Sequence, residues 1–332
     1  MSETVHATRE NGATRPSETR GLAVVAAVVL AAALLRPLLD RLLDHPAIAH
    51  WATIFIAIAV QAMPFLVLGV SVSAAIAVLV APSLVARLFP SRPALAVPIA
   101  TIAGAALPGC ECGSVPIAGR LVSRGVPDAA ALTFLLAAPA INPVVMVATA
   151  VAFPGRPVVV VARLLASAIA ATTVGLIWVR FGRDELLDRA RLRQPDVEGS
   201  RVDALVGTAL HDLLHAGGFL IVGAATAATL QTVVPRHVLN AVADVGPLSI
   251  LALATLAVVM AICSEADAFV AASLTQFSLA ARLTFMVVGP MVDVKLIALQ
   301  TGTFGGRFAL RFAPLTFAVA IASSVVIGWW LL

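Results

Sequence analysis

Long apolar stretches are the feature that most constrains how this chain can fold. A transmembrane helix needs about 20 mostly apolar residues, and several separate stretches of the sequence reach that length. Only 12% of the 332 residues are charged, about half the fraction found in soluble domains. The stretches are also longer than the alternating segments of about ten residues that build a transmembrane barrel. The sequence therefore predicts an all-α, polytopic helical membrane protein with about 8–10 spans.

The apolar stretches also divide the chain into parts. A polar tail at 1–20, which we expect to be disordered, and an extra N-terminal transmembrane helix within 21–50 precede two halves. The halves are 51–180 and 204–332, and a polar linker at 181–203 joins them. The expected spans lie at 22–43, 51–80, 94–121, 129–152, 157–180, 204–234, 247–274, 280–302 and 307–332.

The two halves repeat each other. Gly69 in a Phe-Leu-Val-Leu-Gly run matches Gly223 at an offset of 154, and Cys110 matches Cys263 at an offset of 153. Duplicated halves are typical of secondary transporters, whose substrate site usually lies where the repeats meet near the membrane midplane. Four spans per half would make the repeats parallel, whereas one re-entrant span would make them inverted. The sequence leaves both arrangements open.

Two motifs place cysteines and carboxylates inside apolar stretches, at matching positions of the repeat. Pro and Gly residues flank the first motif, and both interrupt helices. Irregular backbone at membrane depth is tolerated only inside protein or along a wet cavity. Each charged side chain at the bilayer centre costs about 2.5–3.5 kcal/mol on insertion scales, so these carboxylates need protonation, hydration or a bound cation. The candidate substrate and metal ligands are Cys110, Glu111, Cys112, Cys263, Glu265 and Asp267.

The donor set leaves the cargo open between two chemistries. Thiolates with carboxylates suit a borderline-soft cation such as Zn²⁺, whereas two thiolates alone suit trivalent arsenic. The alternative without a site is that the cysteines are small apolar fillers and the acids lie at a membrane surface. The occurrence of both motifs at equivalent repeat positions argues against that alternative.

Two further pairs give weaker signals. His211 and His215 are four residues apart and share a helix face, which is typical of metal ligands and equally of an interfacial helix end. Asn142 and Asp293 occupy one repeat position beside prolines and predict a second broken segment that shapes the substrate path. Asp293 forms a structural ion pair with Lys295, or the two residues serve transport.

Several function classes are excluded or disfavoured. The basic residues form no stripe interleaved with aromatics, so we expect no nucleic-acid partner. Lys295 is the only lysine, so the chain has no P-loop for ATP hydrolysis. We expect a permease in a lipid bilayer, not an enzyme, with no cofactor beyond a transported metal ion or metalloid. The rival from another class is a membrane thiol oxidoreductase in which Cys110 and Cys112 form a redox pair.

Four sequence features resemble one known family. They are the Cys-x-Cys-Gly…Pro motif at 110–116, the Ala-Pro-Ala-Ile-Asn-Pro run at 138–143, Cys263, and the Gly-Pro-Met-Val-Asp run at 289–293. Together they are similar to the predicted permease family that includes the ArsP-type organoarsenical efflux permeases. The resemblance implies a two-repeat, multi-pass permease of the bacterial cytoplasmic (inner) membrane. It also implies that trivalent arsenic is bound by Cys110 or Cys112 together with Cys263.

The sequence departs from the arsenical pattern at two places. Glu111 replaces the small polar residue usual between the two cysteines, and the Ser-Glu-Ala-Asp-Ala-Phe run at 264–269 resembles a second branch of the family. Members of that branch are often encoded beside a smaller membrane subunit, which implies a companion subunit here. Because the extra carboxylates suit a divalent cation, we expect transport of a metal ion such as zinc, with organoarsenical efflux as the alternative.

Overall fold

The computed structural model describes residues 46–80, 89–90, 92–107, 109–192, 200–233 and 246–332. The expected tail at 1–20, nearly all of the expected helix within 21–50, Pro108 and residues 193–199 of the linker lie outside these ranges. The chain divides into the units Met1–His50 and Trp51–Leu332. The fold of the second unit is described below.

Every regular element in the described ranges is helical, and five segments are long and apolar enough to cross a membrane. This confirms the all-α, polytopic fold class. Leu186 ends a short 3-10 turn that begins at Asp184. The α-helices are α1 Pro46–Leu79, α2 Pro93–Ala106, α3 Glu111–Ser123, α4 Asp128–Ile141, α5 Pro143–Ala152, α6 Pro157–Phe181, α7 Asp188–Arg191, α8 Arg201–Val233, α9 Gly246–Met260, α10 Asp267–Ser273, α11 Leu279–Val288, α12 Val294–Phe304 and α13 Gly306–Leu331.

Local sequence explains where these helices begin. Pro93, Pro143 and Pro157 each occupy the first turn of a helix, where the missing proline N–H leaves no unmet hydrogen bond. Asn142 and Asp293 are N-caps: each side chain accepts a hydrogen bond from the backbone N–H three residues on, satisfying a donor that the helix cannot. These two caps divide α4 from α5 and α11 from α12, so the expected second broken segment is present in each half.

The helices follow the same order in both halves. Helices α1 to α6 correspond one by one to α8 to α13, and α7 lies between the two series. Each series contains one long helix, a pair separated by a break of several residues, a pair separated by a cap, and a final long helix. The structure therefore consists of two internal repeats with broken helices.

The first pair of each repeat does not cross the protein. Gly104 near the end of α2 packs against Ala137 of α4, while Val97 earlier in α2 and Thr133 earlier in α4 both face Gly175 of α6. Earlier residues of α2 therefore lie beside earlier residues of α4, and later residues beside later ones. The two helices run in the same direction.

Helix α3 runs the opposite way. Only residues 124–127 connect it to α4, so the end of α3 lies beside the start of α4. At the other end of the pair, the Asn142 side-chain amide donates to the Gly109 carbonyl oxygen at 2.9 Å. Helices α2 and α3 therefore enter the protein to mid-depth and return to the same end, as a re-entrant hairpin. The stretch 94–121 that reads as a span in the sequence is this hairpin.

The second repeat contains the matching hairpin, α9–α10. Its break, Ala261–Ala266, lies beside the break between α11 and α12, because the Lys295 ammonium donates to the Ala261 carbonyl oxygen at 3.2 Å. Ala257 of α9 packs next to Gly289 at the end of α11. The stretch 247–274 is thus the equivalent of 94–121.

The two repeats have opposite orientations. Helix α3 starts beside the start of α12, where Glu111 meets Lys295, and near its end Gly119 faces Thr303 of α12. Helices α3 and α12 therefore run in parallel towards one end, where α4 begins. Helix α5, the counterpart of α12, continues α4 past mid-depth and ends at the other end. With a hairpin that does not cross, each repeat crosses an odd number of times, and the repeats are inverted.

The described part of the linker packs against the end where α4 begins and α6 ends. Leu187 and Ala190 are fully buried, and Arg191 forms an ion pair with Asp128 at the start of α4. This end of the unit is called the linker end below, and the opposite end the far end. Large apolar side chains are exposed on the long helices, including Val60 of α1, Val161 of α6 and Val326 of α13, as lipid contact requires.

Candidate functional site

The four helix breaks meet at mid-depth and bring together the cysteine and carboxylate motifs predicted from the sequence. Residues 109–110 and Asn142 come from the first repeat, and Ala261–Ala266 and Asp293 come from the second. Ala261 has a backbone φ of +46°, which among the described non-glycine residues is unique in being positive. Such strained backbone costs free energy and tends to cluster at functional sites. The convergence of four breaks defines the central cluster.

Lys295 is at the middle of the central cluster. Its ammonium forms a short ion pair with the Glu111 carboxylate, and both side chains are completely buried. The same ammonium lies 3.7 Å from Asp293 Oδ2 and 3.9 Å from Cys263 Sγ. The proposed Asp293–Lys295 pair is therefore present, but Glu111 of the other repeat is the nearer partner. The sequence analysis linked Lys295 to Asp293, as an ion pair or in transport, and did not predict its contact with Glu111.

The three cysteines converge from the two hairpins. The Cys110 side chain interacts electrostatically with those of Cys112 and Cys263. All three are buried and none is in a disulfide. Two come from the first hairpin and one from the second, so a ligand bound to all three would bridge the repeats.

Asp267, predicted from the sequence to be a ligand of the cargo, is paired with an arginine. Both of its oxygens accept from the Arg163 guanidinium of α6, at 2.8 and 2.7 Å. Arg163 also donates to Thr149 Oγ1 at 2.9 Å and to the Ser264 carbonyl oxygen. Sequence reasoning missed Arg163. The signal was available, since it is a lone cation inside an apolar span, and such residues are rarely without a role.

Several carboxylate oxygens near the cluster lack a partner. Glu111 Oε2, Asp293 Oδ2 and both oxygens of Glu265 are buried atoms without a hydrogen bond among the described residues, although Asp293 Oδ2 is within ion-pair distance of Lys295. Unsatisfied buried oxygens are costly. They are also the atoms free to accept a proton or to coordinate a cation.

The Asn142 side chain forms hydrogen bonds with backbone groups of the first repeat. Its amide nitrogen donates to the Gly109 and Ala138 carbonyl oxygens, at 2.9 and 2.8 Å, and its oxygen caps α5. All of its hydrogen bonds therefore hold the two breaks of that repeat together. Asp293, at the matching position, likewise caps α12 while its second oxygen faces Lys295.

The two histidines lie away from the central cluster on α8. Their rings stack nearly parallel, with centroids 6.4 Å apart. His211 is exposed, and His215 Nε2 is 3.1 Å from the Gly302 carbonyl oxygen. Asp212, which follows His211, is the residue of this segment with a buried polar contact. It accepts from Arg120 of α3 at 2.9 Å and from Ser73 of α1 at 3.2 Å. The Arg120–Asp212 pair joins the repeats on the linker side of the cluster.

The cluster is not a closed coordination shell as it stands. Within the described ranges, no group of three or more His, Cys, Asp and Glu side chains is placed so that it could hold a metal ion. Glu111 and Asp267 are engaged by Lys295 and Arg163. A cation could bind to Glu111 and Cys263 only after the Lys295 ammonium moves away from them.

Comparison with known proteins decides the class of protein. A family model described as a predicted permease, ArsP_1, matches residues 47–329. The chain belongs to this permease family. The family assignment made from the cysteine and proline motifs is thereby confirmed, and the protein is a multi-pass membrane permease.

Two curated members of the family are similar over most of their length. The "UPF0718 protein YcgR" of Bacillus subtilis (strain 168) is 35% identical over 287 residues, which cover 83% of this chain and 96% of that protein. The "Putative two-component membrane permease complex subunit" of Streptococcus mutans serotype c (strain ATCC 700610 / UA159) is 31% identical over 283 residues, covering 83% and 94%. No solved structure matches the chain.

Proposed function

We propose that this permease carries a thiophilic divalent metal ion, such as Zn²⁺, bound at the central cluster. The observation that carries the proposal is the convergence of three thiols from two inverted hairpins beside carboxylate oxygens that have no hydrogen-bond partner among the described residues. Sulfur and carboxylate oxygen are both ligands that Zn²⁺ accepts. Substrate sites of inverted-repeat transporters also lie at this depth, between the repeats.

The charge of the cluster supports a cation as cargo. The cluster has four carboxyl groups, those of Glu111, Glu265, Asp267 and Asp293, and among the described residues its ion pairs involve two cations, Lys295 and Arg163. When all the carboxyl groups are ionised, the cluster carries two negative charges in excess, which one divalent ion balances. Uncompensated charge at membrane depth is costly, so the excess favours cation entry.

Lys295 gives the proposed cycle its simplest form. Its ammonium lies among the donor atoms that the ion would use: Glu111 Oε1, the Ala261 carbonyl oxygen and the Cys263 thiol. The tethered ammonium and the ion therefore compete for the same place. In this scheme the ammonium occupies the site in the ion-free state, where it offsets part of the negative charge, and is displaced when the ion binds.

A trivalent organoarsenical is the second candidate, and the paired carboxylates favour it. Methylarsenite is uncharged, and its two hydroxyl groups leave as water when two thiols bond to arsenic, so no charge enters the cluster. Glu111 and Asp267 then keep their partners Lys295 and Arg163. Membership of the permease family favours either transport reading over the thiol oxidoreductase that Cys110 and Cys112 suggested.

Uptake into proteoliposomes of purified protein distinguishes the two cargoes. With Zn²⁺ as cargo, Cys263→Ser and Glu111→Gln should both abolish flux of Zn²⁺, and His211→Gln, an exposed change on α8, should not. With methylarsenite as cargo, Cys263→Ser should abolish flux, while the double variant Lys295→Met/Glu111→Gln, which removes both charges of the buried pair, leaves it intact. Normal flux of both compounds in Cys263→Ser would reject the proposed site.

A companion subunit and the membrane orientation complete the proposal. The Streptococcus mutans relative is named as a subunit of a two-component permease complex, and we propose that this chain has a partner subunit as well. Arginines are concentrated at the linker end, including Arg92, Arg183 and Arg311, whereas Arg156 and Arg282 lie at the far end. By the positive-inside rule we propose that the protein lies in the inner membrane with its linker end facing the cytoplasm.

A further inference from the structure

A second feature, independent of the cargo, is a cleft at the linker end between the two long helices α6 and α13. Two adjoining cavities of about 410 and 310 Å³ form it and share Arg183, Leu186 and Arg311 as lining residues. Trp178 of α6 packs edge-on against Phe308 and Phe312 of α13 beside the cleft. The cleft therefore lies on the contact between the two repeats.

The cleft is strongly basic. Arg183, Arg189, Arg307 and Arg311 line it and are all exposed. None of the four has an ion-pair partner among the side chains that the structure describes. Glu185 is the one acid among the described lining residues, so three positive charges are in excess. Such an excess at a helix end attracts an anion.

The other wall of the cleft is apolar and faces outward. Phe181 is 75% exposed, and Ile177 and Leu315 line the same cavity. These residues lie on membrane-crossing helices, on the side of the arginines that faces the middle of the protein. Headgroup phosphates and the first part of the acyl chains lie at this depth of a bilayer.

Trp178, which lines the same cavity, carries a donor that the described residues leave unpaired. Trp178 is 8% exposed, and its indole Nε1 is a buried atom with no hydrogen-bond partner among the described residues. Buried Trp N–H groups usually have an acceptor. A phosphate or ester oxygen in the cleft would supply one.

From these three observations we propose that the cleft binds the headgroup of an anionic phospholipid. The arginines contact the phosphate, Trp178 Nε1 donates to a headgroup or ester oxygen, and an acyl chain lies along Phe181 and Leu315. Basic pockets between transmembrane helices on the cytoplasmic side are suited to such lipids. Because α6 and α13 belong to different repeats, the bound lipid joins the repeats at this end.

Native mass spectrometry of the purified full-length protein in detergent, titrated with dioleoylphosphatidylglycerol, measures this binding directly. We expect tighter binding than for dioleoylphosphatidylcholine. Arg183→Gln and Arg311→Gln should each weaken phosphatidylglycerol binding about five-fold, since one basic residue at an anionic surface contributes ~1 kcal/mol and ten-fold corresponds to ~1.4 kcal/mol. Trp178→Phe, which keeps the ring but removes the N–H, should also weaken it. Arg156→Gln at the far end is the matched control and should bind as the wild type does.

Three results would overturn the proposal. They are equal binding of the two lipids, wild-type phosphatidylglycerol binding by both Arg183→Gln and Arg311→Gln, and loss of binding in Arg156→Gln to the same extent. Competition with inorganic phosphate tests whether the cleft recognises a soluble anion. If millimolar phosphate displaced phosphatidylglycerol and bound with equal affinity, the cleft would be a soluble-anion site and not a lipid site. The arginine substitutions are at exposed residues, Trp178→Phe is at a buried one, and circular dichroism checks that each variant is folded.

Discussion

Lys295 and Glu111 are 184 residues apart in the sequence, yet they form a completely buried ion pair at the centre of the protein. The pair joins the start of α12 in one repeat to the start of α3 in the other. It is the contact on which the proposed exchange between an internal cation and a transported one depends.

Removing one member of this pair should destabilise the protein strongly. Lys295→Met leaves the Glu111 carboxylate buried without its cation, which typically costs about 3–5 kcal/mol. The double variant Lys295→Met/Glu111→Gln removes both charges and should recover most of that loss. Thermal unfolding in detergent measures the four members of the cycle. Additive losses in the double variant would mean that the two side chains do not interact in the folded protein.

Asp267 should hold the second hairpin in place and should not coordinate the cargo. Arg163 occupies both of its oxygens, so Arg163→Gln alone should lower stability by several kcal/mol, about the cost of a broken buried pair. Arg163→Gln/Asp267→Asn should be more stable than either single variant and should still bind cargo. Equilibrium binding of Zn²⁺ to the double variant tests this. Complete loss of binding, with a normal unfolding temperature, would place Asp267 among the ligands.

The Arg120–Asp212 pair should close the linker side of the central cluster. It links α3 to α8 across the repeats, and Ala216 lines a small cavity beside it. Arg120→Gln should therefore raise the rate at which a water-soluble thiol reagent labels a cysteine placed at Ala216. The comparison is with the same cysteine in an Asp203→Asn background, an exposed change in the first turn of α8. Equal labelling rates in the two backgrounds would mean that the pair is not a barrier.

The inverted repeats predict opposite exposure for two equivalent loops. Arg124 lies in the loop after α3, and Gln276 lies in the matching loop after α10. In intact cells, an impermeant maleimide should label a cysteine at position 276 from outside, whereas a cysteine at position 124 should react only after the membrane is permeabilised. The positive-inside rule predicts which of the two loops faces the outside. The inversion of the repeats predicts that the two loops face opposite sides. Labelling of both positions from the same side would show that the repeats are parallel.

The sequence was sufficient for the class and much of the layout. The apolar stretch 157–180 became α6, and 129–152 became the α4–α5 pair, because length and composition determine which segments can lie in a bilayer. Apolarity does not report direction, so 94–121 and 247–274 looked like spans although they are hairpins. Only the packing of α2 against α4 reveals that α3 turns back.

The candidate site was predictable in part. Pro and Gly beside Cys110 and the matched Cys263 were enough to locate the breaks, and the structure brings these residues together. The partners were not predictable, because Arg163 with Asp267 and Arg120 with Asp212 join segments about 90–100 residues apart and no local pattern links them. The His211 and His215 spacing is compatible with a metal site, but those rings lie on a different part of α8 from the cluster.

X-ray absorption at the zinc edge of the purified protein loaded with one equivalent of Zn²⁺ tests the central claim most directly. Bound by cysteines from both hairpins, the ion should have sulfur neighbours at about 2.3 Å together with oxygen at about 2.0–2.2 Å. Cys263→Ser should remove one sulfur neighbour from that shell, and His211→Gln should leave the spectrum unchanged. A shell of oxygen and nitrogen alone, unaltered by Cys263→Ser, would contradict the account.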